Sequence, residues 1–134
     1  MTKLSAIEGI GESYSNKLAG AGIASIESLL ENCAGKPARM DLAERSGISE
    51  KRILEWVNRA DLARVKGVST QYADLLESAG VDSVPELAQR NAENLHKKMA
   101  EVNEQKHLVR KVPALTQVES WVAQAKELPR KVSH

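Results

Sequence analysis

Two corners of the chain carry residue types that main-chain chemistry can use, Ile7-Glu8-Gly9-Ile10-Gly11 and Val65-Lys66-Gly67-Val68-Ser69. Glycine adopts positive φ and lets backbones approach closely, so such a corner can aim N–H groups outward where the next helix begins. Those amides, with the positive end of the helix dipole, suit an anion. The candidate contacts are Gly9, Ile10, Gly11 and Ser13 at the first corner. At the second they are Lys66, Gly67, Val68, Ser69 and Thr70. The charges around the two corners differ. Glu8 and Glu12 flank the first and repel an anion, whereas Lys66, Thr70 and Gln71 flank the second. The bland alternative is a tight, well-packed connection between helices at each corner.

Groups that perform covalent chemistry are not assembled along the chain. His96, His107 and His134 lack ligand spacing and paired cysteines, so no metal site is expected. Cys33 follows Leu29 and Leu30 at helical spacing, which marks it as a small buried hydrophobe. There is no P-loop, and Tyr14 stands where a dinucleotide fingerprint needs its third glycine. Neither catalysis nor a cofactor is expected.

The corners belong to an internal repeat. Residues 7–30 align with 65–88 at an offset of 58, with identities that include Gly9/Gly67, Tyr14/Tyr72, Leu18/Leu76, Gly22/Gly80 and Leu29/Leu87. Leu42-Ala43-Glu44 then lies over Met99-Ala100-Glu101, and Trp56-Val57 lies over Trp121-Val122 at an offset of 65. The second copy therefore carries about eight extra residues within Glu104–Ala114, forming either a helix extension or a loop. All four aromatic residues pair off across the repeat. The expected division is 1–64 and 65–134, packed together as one compact body.

Apolar residues recur with a period near 3.6 and nowhere alternate as in a half-buried strand. In the first copy a short helix closes before Gly9, and a second runs from Glu12 to Ala21, stopped by Gly22. Ser25 caps a third through Asn32, a fourth spans 38–46 before Gly47, and Ser49 caps a fifth through Arg64. The second copy reuses the signals. Ser69 or Thr70 opens a helix that Gly80 stops, and Ser83-Val84-Pro85-Glu86 is a capping box. Thr116-Gln117-Val118-Glu119 is a further capping box before Trp121. The fold class is all-α.

Composition agrees with a folded helical protein. The 134 residues are 42% hydrophobic and 28% charged with a net charge of +1, which excludes a basic tail or acidic segment as the main device. The absence of phenylalanine makes the core aliphatic. One cysteine cannot form an internal disulfide, so a reducing cytoplasm is the expected compartment. No apolar run reaches the roughly 18 residues of a membrane span.

Leu4 to Leu18 resembles the helix-hairpin-helix motif of DNA repair and replication proteins, whose pattern falls here on Ile7, Gly9, Ile10, Gly11, Ser15 and Leu18. The second copy matches at Val65, Gly67, Val68, Ala73 and Leu76, with Ser69 in place of the second glycine. The tandem arrangement, with Trp helices between and after the corners, is similar to an uncharacterised bacterial domain family, a domain of unknown function. The resemblance implies two helix-hairpin-helix repeats in a SAM-domain-like helical bundle, each followed by a Trp-containing helix. It also implies a non-catalytic module making weak contacts with phosphates of double-stranded DNA, without reading sequence. The alternative is a scaffold or adaptor that meets a protein partner through an exposed apolar patch.

Two further signals carry less. Residues 42–56 resemble a helix-turn-helix, which would place Ser49, Glu50, Lys51 and Arg52 near bases or phosphates. The second copy breaks that spacing, so both copies are expected to keep these helices for their core. Lys97, Lys98, Lys106, His107, Arg110 and Lys111 give 97–111 a basic bias, read as a solvated face or a phosphate or partner surface. Tyr14 and Tyr72 are expected to pack rather than stack on a ligand, Trp56 and Trp121 to anchor the core, and Arg130 and Lys131 to fray.

Overall fold

A computed structural model describes residues 3–7 and 9–132, with Thr70 described by its backbone alone; Glu8 and His134 lie outside the described residues. After a short 3-10 turn, Leu4–Ala6, come eight α-helices: α1 Glu12–Gly20, α2 Ile26–Cys33, α3 Lys36–Ser46, α4 Glu50–Leu62, α5 Thr70–Ser78, α6 Val84–Ala88, α7 Ala92–Lys106 and α8 Leu115–Glu127. No strand occurs among the described residues. The protein is all-α.

The chain forms two compact units, Met1–Asp61 with Lys131–His134 and Leu62–Arg130. Each has its own aliphatic core around a single tryptophan, Trp56 on α4 or Trp121 on α8. In the first unit α3 packs on α1 and α2; in the second α8 packs on α6 and α7, and α7 on α5. Spacing explains which faces are buried. Ile26, Leu29, Leu30 and Cys33 form one stripe of α2, and Val118, Trp121, Val122 and Ala125 form the same stripe of α8.

The offset of 58 reappears bond for bond. Ile23 N–H donates to the Leu18 carbonyl at 2.8 Å, closing α1, and Val81 N–H donates to the Leu76 carbonyl at 2.8 Å, closing α5. Ser25 Oγ accepts from Ser28 N–H at 3.1 Å to open α2, and Ser83 Oγ accepts from Glu86 N–H at 3.3 Å to open α6. Half of the expected box at Ser83 is elsewhere employed, because the Glu86 carboxylate pairs with Arg90.

Two expectations change, and one left open is resolved. The helix carrying Trp121 starts one residue before Thr116, with Ala114 as its N-cap, and the Gln117 carboxamide oxygen accepts from Ala114 N–H at 2.9 Å. Thr116 sits inside the helix and caps nothing. The tail does not simply fray: Arg130 and Lys131 are exposed, but Val132 is buried in the first unit's core. The insertion adds a loop after α7, which ends where His107 turns left-handed at φ 51°.

Among the described residues two charged side chains are fully buried, Arg39 and Asp61. Arg39 donates from Nη1 to the carbonyls of Cys33 at 3.2 Å and Ala34 at 2.8 Å, and from Nε to the Glu50 carboxylate at 3.1 Å. It thus caps the end of α2 and ties α3 to α4 in one contact set.

Candidate functional site

Each corner is held from beneath by apolar residues. Ile7 and Ile10 are buried below the first, Val65 and Val68 below the second. Gly9 and Gly67 turn with φ of 92° and 94°, a conformation side chains with a Cβ rarely adopt. Under each lies an indole. A Cβ added to Gly9 would stand 3.9 Å from Trp56 Nε1, and one added to Gly67 only 3.0 Å from Trp121 Nε1. Tyr14 leans on Trp56 with ring centroids 5.2 Å apart, and Tyr72 on Trp121 at 5.3 Å. The four aromatics are therefore the platforms of the two corners, and both tyrosines, half-buried, pack on their own unit.

Two expected donors are spent. Ile10 N–H donates to the Ile7 carbonyl at 3.1 Å, and Val68 N–H to the Val65 carbonyl at 3.1 Å. Both amides close their own turns, so Ile10 and Val68 shape the corners and are not open donors. Gly9, Gly11, Ser13, Lys66, Gly67 and Ser69 are exposed.

The residue that opens the next helix separates the copies. Gly11 is the N-cap of α1 and has no side chain with which to cap it, leaving the amides of Glu12, Ser13 and Tyr14 without a capping side chain. At the equivalent place Ser69 caps α5, its Oγ accepting from Tyr72 N–H at 3.2 Å. The second corner is also clamped to α8. Lys66 N–H donates to Gln124 Oε1 at 2.9 Å, and Gln124 Nε2 donates back to the Lys66 carbonyl at 3.2 Å. Serine supplies a side-chain acceptor at the position where glycine has none.

Two cations stand over the Tyr14 ring, one from α1 itself and one from α4. Arg52 on α4 lies 5.3 Å from the Tyr14 ring centroid, and Lys17 Nζ lies 5.7 Å from it. Residues 49–52 otherwise serve the fold, because Ser49 Oγ accepts from Arg52 N–H at 3.3 Å and Glu50 pairs with Arg39.

A domain of unknown function, DUF4332, matches residues 8–128. The chain belongs to this family. The DUF4332 match takes in both glycine corners, all eight α-helices and both tryptophans. No curated protein and no solved structure matches the chain.

The rest of this DUF4332 chain offers little reactive chemistry. No group of three or more metal-ligating side chains occurs among the described residues. Burial pushes the Cys33 thiol above its ordinary range, although Arg39 and Arg45 pull the other way. A neutral thiol at 2% exposure is a poor nucleophile. Folded protein is expected to resist iodoacetamide at neutral pH and to react fully once unfolded in urea, as read by intact mass. Equally rapid labelling of both states would contradict that burial. The raised pKa means that the folded state holds its proton longer, so this group's contribution to stability falls as pH rises above the ordinary thiol range.

Proposed function

We propose that both corners are helix-hairpin-helix elements and that the chain is a non-catalytic module that grips phosphates of double-stranded DNA without reading sequence. The observation that carries this reading is the start of α1. The N-cap glycine supplies no capping side chain to its first-turn amides, and two cations lie over the ring of Tyr14, a residue of that turn. Main-chain donors contact phosphate oxygens and reach no base edge, so binding is independent of sequence. The second corner contributes the exposed Lys66 side chain, while its helix start is already capped.

The scaffold alternative needs a contiguous apolar patch. Among the described residues the large exposed hydrophobics are Met40 and Leu108, one in each unit. Neither unit offers such a patch on that count.

A fluorescently labelled random-sequence duplex, titrated at several salt concentrations, tests the reading. With one or two phosphates per corner, the logarithm of affinity is expected to fall with the logarithm of salt with a slope of about −2 to −4. Arg52→Glu and Lys66→Glu should each lower that slope by about 1. Binding indifferent to salt and to both substitutions would remove the phosphate reading and favour the scaffold.

A further inference from the structure

The insertion that distinguishes the second unit is a fastened loop. Asn103, nearly buried, donates from Nδ2 to the Val109 carbonyl at 3.0 Å and accepts from Val109 N–H at 2.9 Å. His96 Nε2 bonds the Pro113 carbonyl at 2.9 Å, and Tyr72 Oη donates to the Lys111 carbonyl at 3.5 Å. All these bonds hold the loop by its backbone. They leave the side chains of His107, Arg110 and Lys111 exposed.

Residues 107–111 line an open cleft of about 600 Å³ together with Asn103, and with Ser69, Gln71 and Tyr72. No carboxylate lines it among the described residues. The comparison with the first unit gives the arrangement its meaning. There, Lys17 and Arg52 bring positive charge to Tyr14. Their counterparts across the repeat are Leu75 and Gln117. Leu75 is buried, and Gln117 is occupied at the start of α8. The second unit lacks both cations at these positions, and Arg110 and Lys111 of the inserted segment line one cleft with the equivalent tyrosine. Packing alone does not require replacement cations.

We propose that this cleft is a phosphate-binding site, with Arg110 and Lys111 as the charged contacts and Ser69 and Gln71 as polar ones. Its ligand is a backbone phosphodiester of the duplex gripped by the corners. In that respect it rests on the function proposed above. The planar guanidinium of Arg110 suits two phosphate oxygens, and Lys111 adds a mobile point charge.

Two measurements separate the site from the function. The first compares duplex affinity of the whole protein with that of Arg110→Glu/Lys111→Glu across salt. The double variant is expected to bind on the order of tenfold more weakly at low salt, with a slope shallower by about 2. Its melting temperature should be unchanged, because both side chains are exposed. A double variant that binds like the wild type overturns the cleft and leaves the corners standing. The second measurement follows backbone amide shifts while pyrophosphate is added, and applies even if the wild type ignores DNA. Shifts at Gln71 and 107–111 that the double variant abolishes keep the cleft as a phosphate site, with a small phosphate compound as its ligand. A titration that leaves those amides unmoved overturns it.

Discussion

Gly67→Ala is expected to destabilise the protein by about 3 kcal/mol, with the loss read as a lower urea midpoint at unchanged slope. Two costs combine. A left-handed φ of 94° costs a residue with a Cβ about 1–2 kcal/mol. The added methyl would also meet Trp121 Nε1 at 3.0 Å, and Trp121 is 1% exposed within a packed core. Its ring cannot yield without disturbing its neighbours, and overpacking of this kind costs about 1–3 kcal/mol. Gly9→Ala is the internal control. Its φ of 92° is nearly the same, but the nearest atom, Trp56 Nε1, is 3.9 Å away, at ordinary contact distance. It should therefore cost about 1–2 kcal/mol, the conformational part alone. Equal losses for the two alanines would show that Trp121 gives way freely.

Arg39→Met should cost the first unit about 2–3 kcal/mol. Methionine retains much of the side chain's apolar length but removes the donors to Cys33, Ala34 and Glu50. The two carbonyls at the end of α2 lose their donor in a buried setting. Glu50 is 29% exposed and regains water, so its share is below that of a fully buried ion pair. A second substitution, Glu50→Gln, isolates the pair in a double-mutant cycle. Made in the Arg39→Met background it should cost less than in the wild type, because its partner is already gone. A midpoint shift within about 0.5 kcal/mol for Arg39→Met would mean that the guanidinium contributes no more than a surface group.

Local signals made most helix boundaries legible from the residues alone. Ser25, Ser83 and Ser69 act within three residues of themselves, so their capping roles can be read without a fold. Spacing was ambiguous at Thr116, where two polar residues in register suit a capping box. Gln117 won by reaching back to the Ala114 amide, and the stripe from Val118 to Ala125 fits either start. What the chain brings together from afar was hidden. Arg39 and Glu50 lie eleven residues apart and look like ordinary surface charges until α3 and α4 meet. Arg52 beside Tyr14 depends on the same kind of closure.

The two corners were legible as glycine turns, whereas which of their polar groups are already engaged was not. Glycine marked both corners, and the repeat located the second from the first. Composition favoured the second corner, where Lys66 replaces a carboxylate. The decisive difference was one atom group, the hydroxyl of Ser69 at a position where the first copy has Gly11. A side chain that looked like an anion contact is also the acceptor that satisfies the helix from within.

Val132, buried among residues of the first unit, sets an order on biosynthesis. Residues up to Asp61 leave the ribosome before Leu62–Arg130, yet their core includes a residue that follows that stretch. The unit Leu62–Arg130, by contrast, is one continuous stretch of chain. Vectorial folding normally favours whatever emerges first; here the earlier unit takes a core residue from a segment made after the later one.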